Sequence, residues 1–220
     1  MYKRQQEHLG NSIITTSGSR ILAQDNINKI ATLDGLIVDN RHLAETSDII
    51  ALMLLEHQIH IQNLLTRLQW EASNNLNLEL LDQKILSASE KLLEGMFMVG
   101  EAQIMGPLSG DPQFQKDFET KGPYDRKMRS LRQLNLQTRL FQYPLSYMIY
   151  STTFEALPKP LRHHLFSRIW EVLIGLDRSK SFEHLSSADR SAILEILRST
   201  KSDFRDWQRT RMKQSSSNDS

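Results

Sequence analysis

Residues 48–71, DIIALMLLEHQIHIQNLLTRLQWE, decide the fold of this chain. Wound at about 100° per residue, their apolar positions recur at helical period and predict one long amphipathic helix running to about Ala72. Thr46, Ser47 and Asp48 offer oxygens for its first free amides, and Asn74-Asn75 supplies a stop. The polar residues of this helix fall on two separate faces. Gln58, Gln62, Thr66 and Gln69 cluster as a water-facing side. Glu56, His60, Asn63 and Arg67 form a second stripe on the opposite side, flanked by Ile49, Leu52, Met53, Ile59, Leu64 and Trp70. A charged stripe within an apolar belt costs free energy unless its members are paired, liganded or wetted, so the stripe is expected to turn inward onto a polar pocket.

Working outward, a second helix is expected between about Leu78 and Glu101, a single turn at Gln115 to Glu119, and two short pieces meeting at Tyr143-Pro144 within Arg126 to Ser151. Gly106-Pro107, Gly110-Asp111-Pro112 and Gly122-Pro123 punctuate a long connection. Leu161, Leu165, Ile169 and Val172 mark a helix opened by Pro158 and Pro160 and closed near Gly175. Ser186 and Asp189 form a capping box ahead of a last helix through Ile193, Ile196 and Leu197. Met1 to Asn40 is weakly patterned, read as loops with one short helical turn near Asn28 to Leu33. The chain therefore reads as an all-α protein, an irregular multi-helix bundle with long loops. Residues 1–42 form a poorly patterned N-terminal segment, 43–205 a helical domain, and 206–220 a serine-rich disordered tail.

Composition narrows the function classes. A chain of 220 residues can bury a core without staples, and with no cysteine it has no disulfide, thiolate metal site, cysteine nucleophile or c-type haem attachment. A formal net charge of +1 gives no overall field for gathering nucleic acid, and no nucleic-acid partner is expected. No run approaches the roughly 20 apolar residues of a membrane span. Gly-rich phosphate loops, a G-x-S-x-G elbow and calcium loops are absent from the sequence.

Glu56, His57, His60 and Asn63 carry the most chemistry. Glu56 and His60 stand one turn apart, a spacing that lets a carboxylate and an imidazole share a metal or lets the carboxylate orient the ring. His57 lies about 60° round the helix from His60 and can reach the same cavity. Two readings stay open: a satisfied polar network, with Arg67 bracing Glu71 or a neighbouring helix, or a site for haem or a divalent metal. The zinc-protease pattern H-E-x-x-H does not fit, because only two residues separate His57 and His60. The Glu-x-x-His motif of di-iron bundles fails as well, since Glu56 and His60 are one residue too far apart. His163, His164, Ser167 and Glu171 read as a solvated helix face. Arg126, Lys127, Arg129, Arg132 and Arg139, followed by Tyr143, Tyr147 and Tyr150, read as cations salt-bridged to the acidic helix before them.

Several segments together carry a resemblance: Glu7-His8-Leu9-Gly10-Asn11, Ser47 to Met53 running into Leu55-Glu56-His57-Gln58, Gly122 to Arg126, Tyr143 to Ser151 and Leu185 to Arg190. From about His8 to Asp203 the chain resembles the C-terminal half of a group of larger, uncharacterised exported bacterial proteins, loosely cytochrome-c-like. The resemblance implies a fragment whose partner is the N-terminal half of a longer parent protein, and a periplasmic or cell-envelope location; without it the location reads as cytoplasmic. It also makes His8 a further ligand candidate. These residues lead to the expectation of a helical domain serving redox or metal- or haem-linked work through Glu56, His60, Asn63 and Arg67. The rival is a helical structural or interaction scaffold with no cofactor. No reaction, and so no enzyme class, is legible.

Overall fold

The computed structural model describes residues 13–14, 20–21, 48–74 and 81–218. These residues form an all-α fold of seven α-helices and two 3-10 turns, with one two-residue antiparallel ribbon. That ribbon pairs β1 (Ile13–Ile14) with β2 (Arg20–Ile21), where the sequence reads as loop. The helical turn expected near Asn28 to Leu33 and the candidate His8 lie outside the described residues.

The longest helix, α1 (Ile49–Ser73), matches the expected segment. The Asp48 carboxylate accepts from the amides of Ile50 and Ala51, and its second oxygen accepts from the Asp111 amide at 2.8 Å. One side chain thus caps α1 and ties it to the start of α3 (Pro112–Thr120). Gly110 lies so close to this junction that a Cβ there would stand 2.6 Å from the Asp48 carboxylate.

Helix α2 (Gln83–Met96) starts later and ends earlier than its apolar pattern predicts, because Asp82 caps its N-terminus and a reversal follows Phe97. Met98 takes a left-handed conformation (φ 57°), its amide donates to Gly95 and that of Val99 to Glu94. This is a Schellman closure with methionine where glycine is usual, and it throws the chain back toward α1. At Gly95 the two helices meet closely: a Cβ there would lie 2.8 Å from Leu64 Cδ1 and 3.2 Å from Ile61 Cδ1.

Helix α3 is longer than the single turn expected, since Asp111 caps it and Pro112 starts it. Residues 121–146 carry no helix. Asn135 and Asp125 side chains bond nearby amides there, building turns around an isolated Leu134–Phe141 bridge. A 3-10 turn (Tyr147–Tyr150) and the short α4 (Thr152–Glu155) follow.

Helix α5 (Lys159–Leu173) closes with Gly175 at φ 74°, as its sequence predicts. A second 3-10 turn (Lys180–Phe182) precedes α6 (Ser187–Thr200), and Ser186 and Asp189 form the expected reciprocal capping box. Helix α7 (Ser202–Asn218) continues past residue 206, where composition places a disordered tail. Phe204 and Gln208 are buried on its inner side, which anchors its first turns against the core.

Ile61, Leu65 and Leu68 of α1, Ile85, Leu92 and Leu93 of α2, Leu161, Leu165 and Ile169 of α5, and Ile193, Ile196 and Leu197 of α6 merge into one core. The basic residues before Tyr143 do form ion pairs, but with different acids from those expected. Lys127 and Arg129 meet Glu195, Arg129 also meets Asp125, and Arg139 meets Asp189, so the loop is fastened to α6 rather than to the acidic helix before it. Arg132 instead lies over the rings of Phe118 and Tyr147.

Candidate functional site

Helix α1 buries Ile50, Leu54, His57, Ile61, Leu65, Leu68 and Ala72. His60, Asn63 and Arg67 are exposed and Glu56 is half-buried and engaged within the chain, so the inward stripe expected from the sequence is not the buried one. The reason is that α1 carries two apolar faces. Leu52, Leu55, Ile59 and Trp70 lie opposite the core at 49%, 52%, 50% and 64% exposure. Both polar stripes are flanks between these faces. On the flank read as water-facing, Gln58 accepts from the Tyr147 hydroxyl, Gln62 from that of Thr153, and the Gln69 amide donates to the Thr153 carbonyl. That flank meets the 3-10 turn and α4. On the other flank, Arg67 and Trp70 border a shallow groove of about 390 Å³ with Lys84, Ser87 and Lys91 of α2.

Of the candidates among the described residues, only His57 is buried, at 1% exposure. Its Nε2 lies 2.8 Å from Ser146 Oγ and its Nδ1 3.5 Å from Glu101 Oε1. The ring packs edge-on to Phe141 at 5.1 Å, with Tyr147 at 6.2 Å. Each partner is delivered by local structure. The Schellman reversal after α2 returns Glu101 to α1, and Ser146 follows Pro144 as the N-cap of the 3-10 turn, its amide donating to the Met96 carbonyl at 2.8 Å. Ser146 Oγ also accepts from the Met148 amide. The hydroxyl has one proton and a second lone pair left for His57 Nε2, and the imidazole thus bridges the Ser146 hydroxyl and the Glu101 carboxylate.

The order hydroxyl, imidazole, carboxylate is that of an activated nucleophile. Accessibility argues otherwise: Ser146 is fully buried and its hydroxyl already serves as a cap. The arrangement acts as a clasp joining α1, the turn after α2 and the 3-10 turn. Its solvent side is Glu101, which borders a cavity of about 510 Å³ shared with Gly100, Gln103, Arg139, Phe141 and His184. His184 fixes another edge of that cavity by bonding the Phe97 carbonyl at 2.8 Å.

His60 is not part of the clasp, although it is near. Partial burial and then the neighbouring His57 lower its pKa, against an opposing pull from Glu101. Among the described residues no group of three or more His, Cys, Asp or Glu side chains is placed to hold a metal ion.

His163 is exposed as expected, but His164 is half-buried and its Nε2 has no hydrogen-bond partner. Burial lowers its pKa. Between them and α2, Arg168 binds Glu90, Glu171 and Asp177 at 2.6, 2.5 and 2.7 Å, so Glu171 belongs to an ion-pair network rather than to a solvated face.

Sequence reasoning named His57 but not Ser146, Glu101 or Phe141. Ser146 offers one signal, a serine two residues beyond Pro144 and ahead of an apolar turn; Glu101 offers none, because its approach depends on Met98 adopting a glycine-like conformation. Among the described residues no helix is long and apolar enough to cross a membrane. Comparison of the chain with protein-family models, with curated proteins and with solved structures gives no match.

Proposed function

We propose that this chain is a helical interaction scaffold that pairs with a second copy of itself through the outer face of α1, and that the His57 clasp shapes the domain rather than performing chemistry. One observation carries this reading: Leu52, Leu55, Ile59 and Trp70 are each about half exposed or more on the side of α1 facing away from the core. Single exposed apolar residues are ordinary on protein surfaces, but a row along one helix marks a contact surface.

The row is self-complementary. Leu52 and Leu55 stand near one end and Trp70 near the other, so a two-fold axis near the helix centre lays each end on its opposite in the partner and sets the helix dipoles antiparallel. Gln58 on one side and Arg67 on the other provide a polar rim, and exposed Asn63 and Thr66 stand between Ile59 and Trp70. The redox or haem reading rested on an inward Glu56, His60, Asn63, Arg67 stripe, and with His60, Asn63 and Arg67 in solvent it loses its motivation.

Sedimentation velocity tests the scaffold reading. The wild-type chain should show a concentration-dependent dimer, and Ile59→Glu should be monomeric with unchanged helical content and thermal midpoint. A wild type that stays monomeric throughout overturns it, as does a dimer indifferent to Ile59→Glu. A haem absorbance band or stoichiometric metal that persists in His60→Leu would also count against the Glu56 and His60 stripe as a ligand site.

A further inference from the structure

The groove between α5 and α7 brings three cations to one border, beside two acids. It encloses about 730 Å³, within the range of small-molecule sites, and its border includes Lys159, Arg162, His163, Ser167, Trp207 and Arg211. None of Lys159, Arg162 or Arg211 forms an ion pair among the described residues. Arg162 donates to the Glu155 carbonyl and Arg211 to the Ser167 hydroxyl at 2.5 Å, both neutral acceptors. Two acids also border the groove, but each already faces a cation. Asp203 lies 3.4 Å from Lys201, and Asp206 lies 4.0 Å from Arg205 and 3.9 Å from Arg209.

The apolar wall has its own character. Phe166 is buried at the floor, Trp207 is half-buried beside it with ring centroids 6.1 Å apart, and Arg211 lies over the indole at 5.5 Å. Three cations at the rim and an aromatic wall beneath match a ligand with an anionic head and a flat apolar body. At His163, partial desolvation and then Lys159 and Arg162 lower the pKa, against an opposing pull from Asp203.

We infer that the groove between α5 and α7 is a binding site for a small aromatic phosphomonoester, its phosphate held by Lys159, Arg162 and Arg211 and its ring set against Trp207, which Phe166 backs from beneath. The site is separate from the outer face of α1 and does not depend on the scaffold reading. Phosphate, with several acceptor oxygens, matches two guanidinium groups and one ammonium better than a single carboxylate does.

Titration calorimetry with phenyl phosphate, with inorganic phosphate and with sodium chloride at matched ionic strength tests the inference on the full chain. Phenyl phosphate should bind with a Kd of about 1 mM or tighter and inorganic phosphate several-fold more weakly. Chloride should give no saturable heat. Loss of one charge-assisted contact in Arg162→Gln should weaken phenyl phosphate about tenfold. Exposed Lys159→Gln, which the fold does not need, should weaken it in the same direction. Ligand-induced quenching of tryptophan emission should vanish in Trp207→Phe while Trp70 and Trp170 remain. No saturable binding, an equal response to chloride, or binding unaltered in both charge variants would overturn the inference.

Discussion

The two faces of α1 are built from the same kinds of residue and meet opposite fates. Leu54, His57, Ile61 and Leu65 are enclosed by α2, the turn after it and the 3-10 turn, whereas Leu52, Leu55 and Ile59, a few residues away on the same helix, stand in solvent. A histidine is therefore inside and an isoleucine outside. Residue type does not decide which side of a doubly apolar helix becomes core; what decides is where the rest of the chain delivers matching surface. Here Gly95 permits close approach of α2 on one side only.

The largest test of this contrast sets Ile61 against Ile59. Ile61 is fully buried, so Ile61→Ala should lower unfolding free energy by about 2–5 kcal/mol, whereas Ile59→Ala should stay within about 0.5 kcal/mol when measured at concentrations that keep the chain monomeric. Equal losses in urea titrations would mean that the outer row is covered. The histidines provide the next comparison. His57→Leu leaves the Ser146 hydroxyl without its imidazole partner and should cost about 1–3 kcal/mol, while exposed His60→Leu should change stability by under about 0.5 kcal/mol. A reversal of that order would return the inward role to His60.

At the N-terminus of α1, Asp48→Ala removes an acceptor for three amides and should cost about 0.5–2 kcal/mol, seen as a lower thermal midpoint. Gly110→Ala, which crowds the same carboxylate, should act in the same direction, and no loss in either would show that the cap is dispensable.

Acid sharpens the comparison through groups outside α1. Burial lowers the pKa of His164 against the pull of Glu90, partial burial and then Lys159 and Arg162 lower that of His163 against Asp203, and partial burial then His57 lowers that of His60 against Glu101. In that case the unfolded chain takes up protons first, so stability falls as pH drops below about 6.5 toward the folded values. Burial alone would raise the Asp125, Asp177 and Asp189 carboxyls. Hydrogen bonds and charges from Arg129, from Ser179 and Arg168, and from Arg139 and Ser186 more than offset it and hold them low. Their contribution is present above about pH 4 and is lost as pH falls through the folded values. Unfolding free energy should therefore decline on acidification in two stages, and His164→Gln should flatten the first.

The fold was legible wherever a cap and a period agreed. Asp48 with α1, Gly175 after α5 and the Ser186 and Asp189 box all stand where the sequence places them. It was not legible across residues 121–146, where side chains of Asp125 and Asn135 organise turns that no periodicity announces. Serine content pointed to a tail starting at residue 206, but buried Phe204 and Gln208 commit α7 to the core before that composition takes over. Of the candidate site, periodicity identified the helix and its two polar rows correctly. It misjudged their facing because a helix with apolar residues on both sides gives the same angular pattern whichever side is covered. Ser146 and Glu101 come from distant segments and meet His57 only through tertiary structure.

The absence of cysteine makes one measurement direct. A single Ile59→Cys variant, treated with a short bis-maleimide at micromolar protein, should form a covalent dimer. A matched variant at exposed Arg178, far along the chain on the turn after α5, should not. Efficient cross-linking confined to Ile59→Cys is the result expected if the outer face of α1 joins two copies; monomer alone at both positions would contradict it.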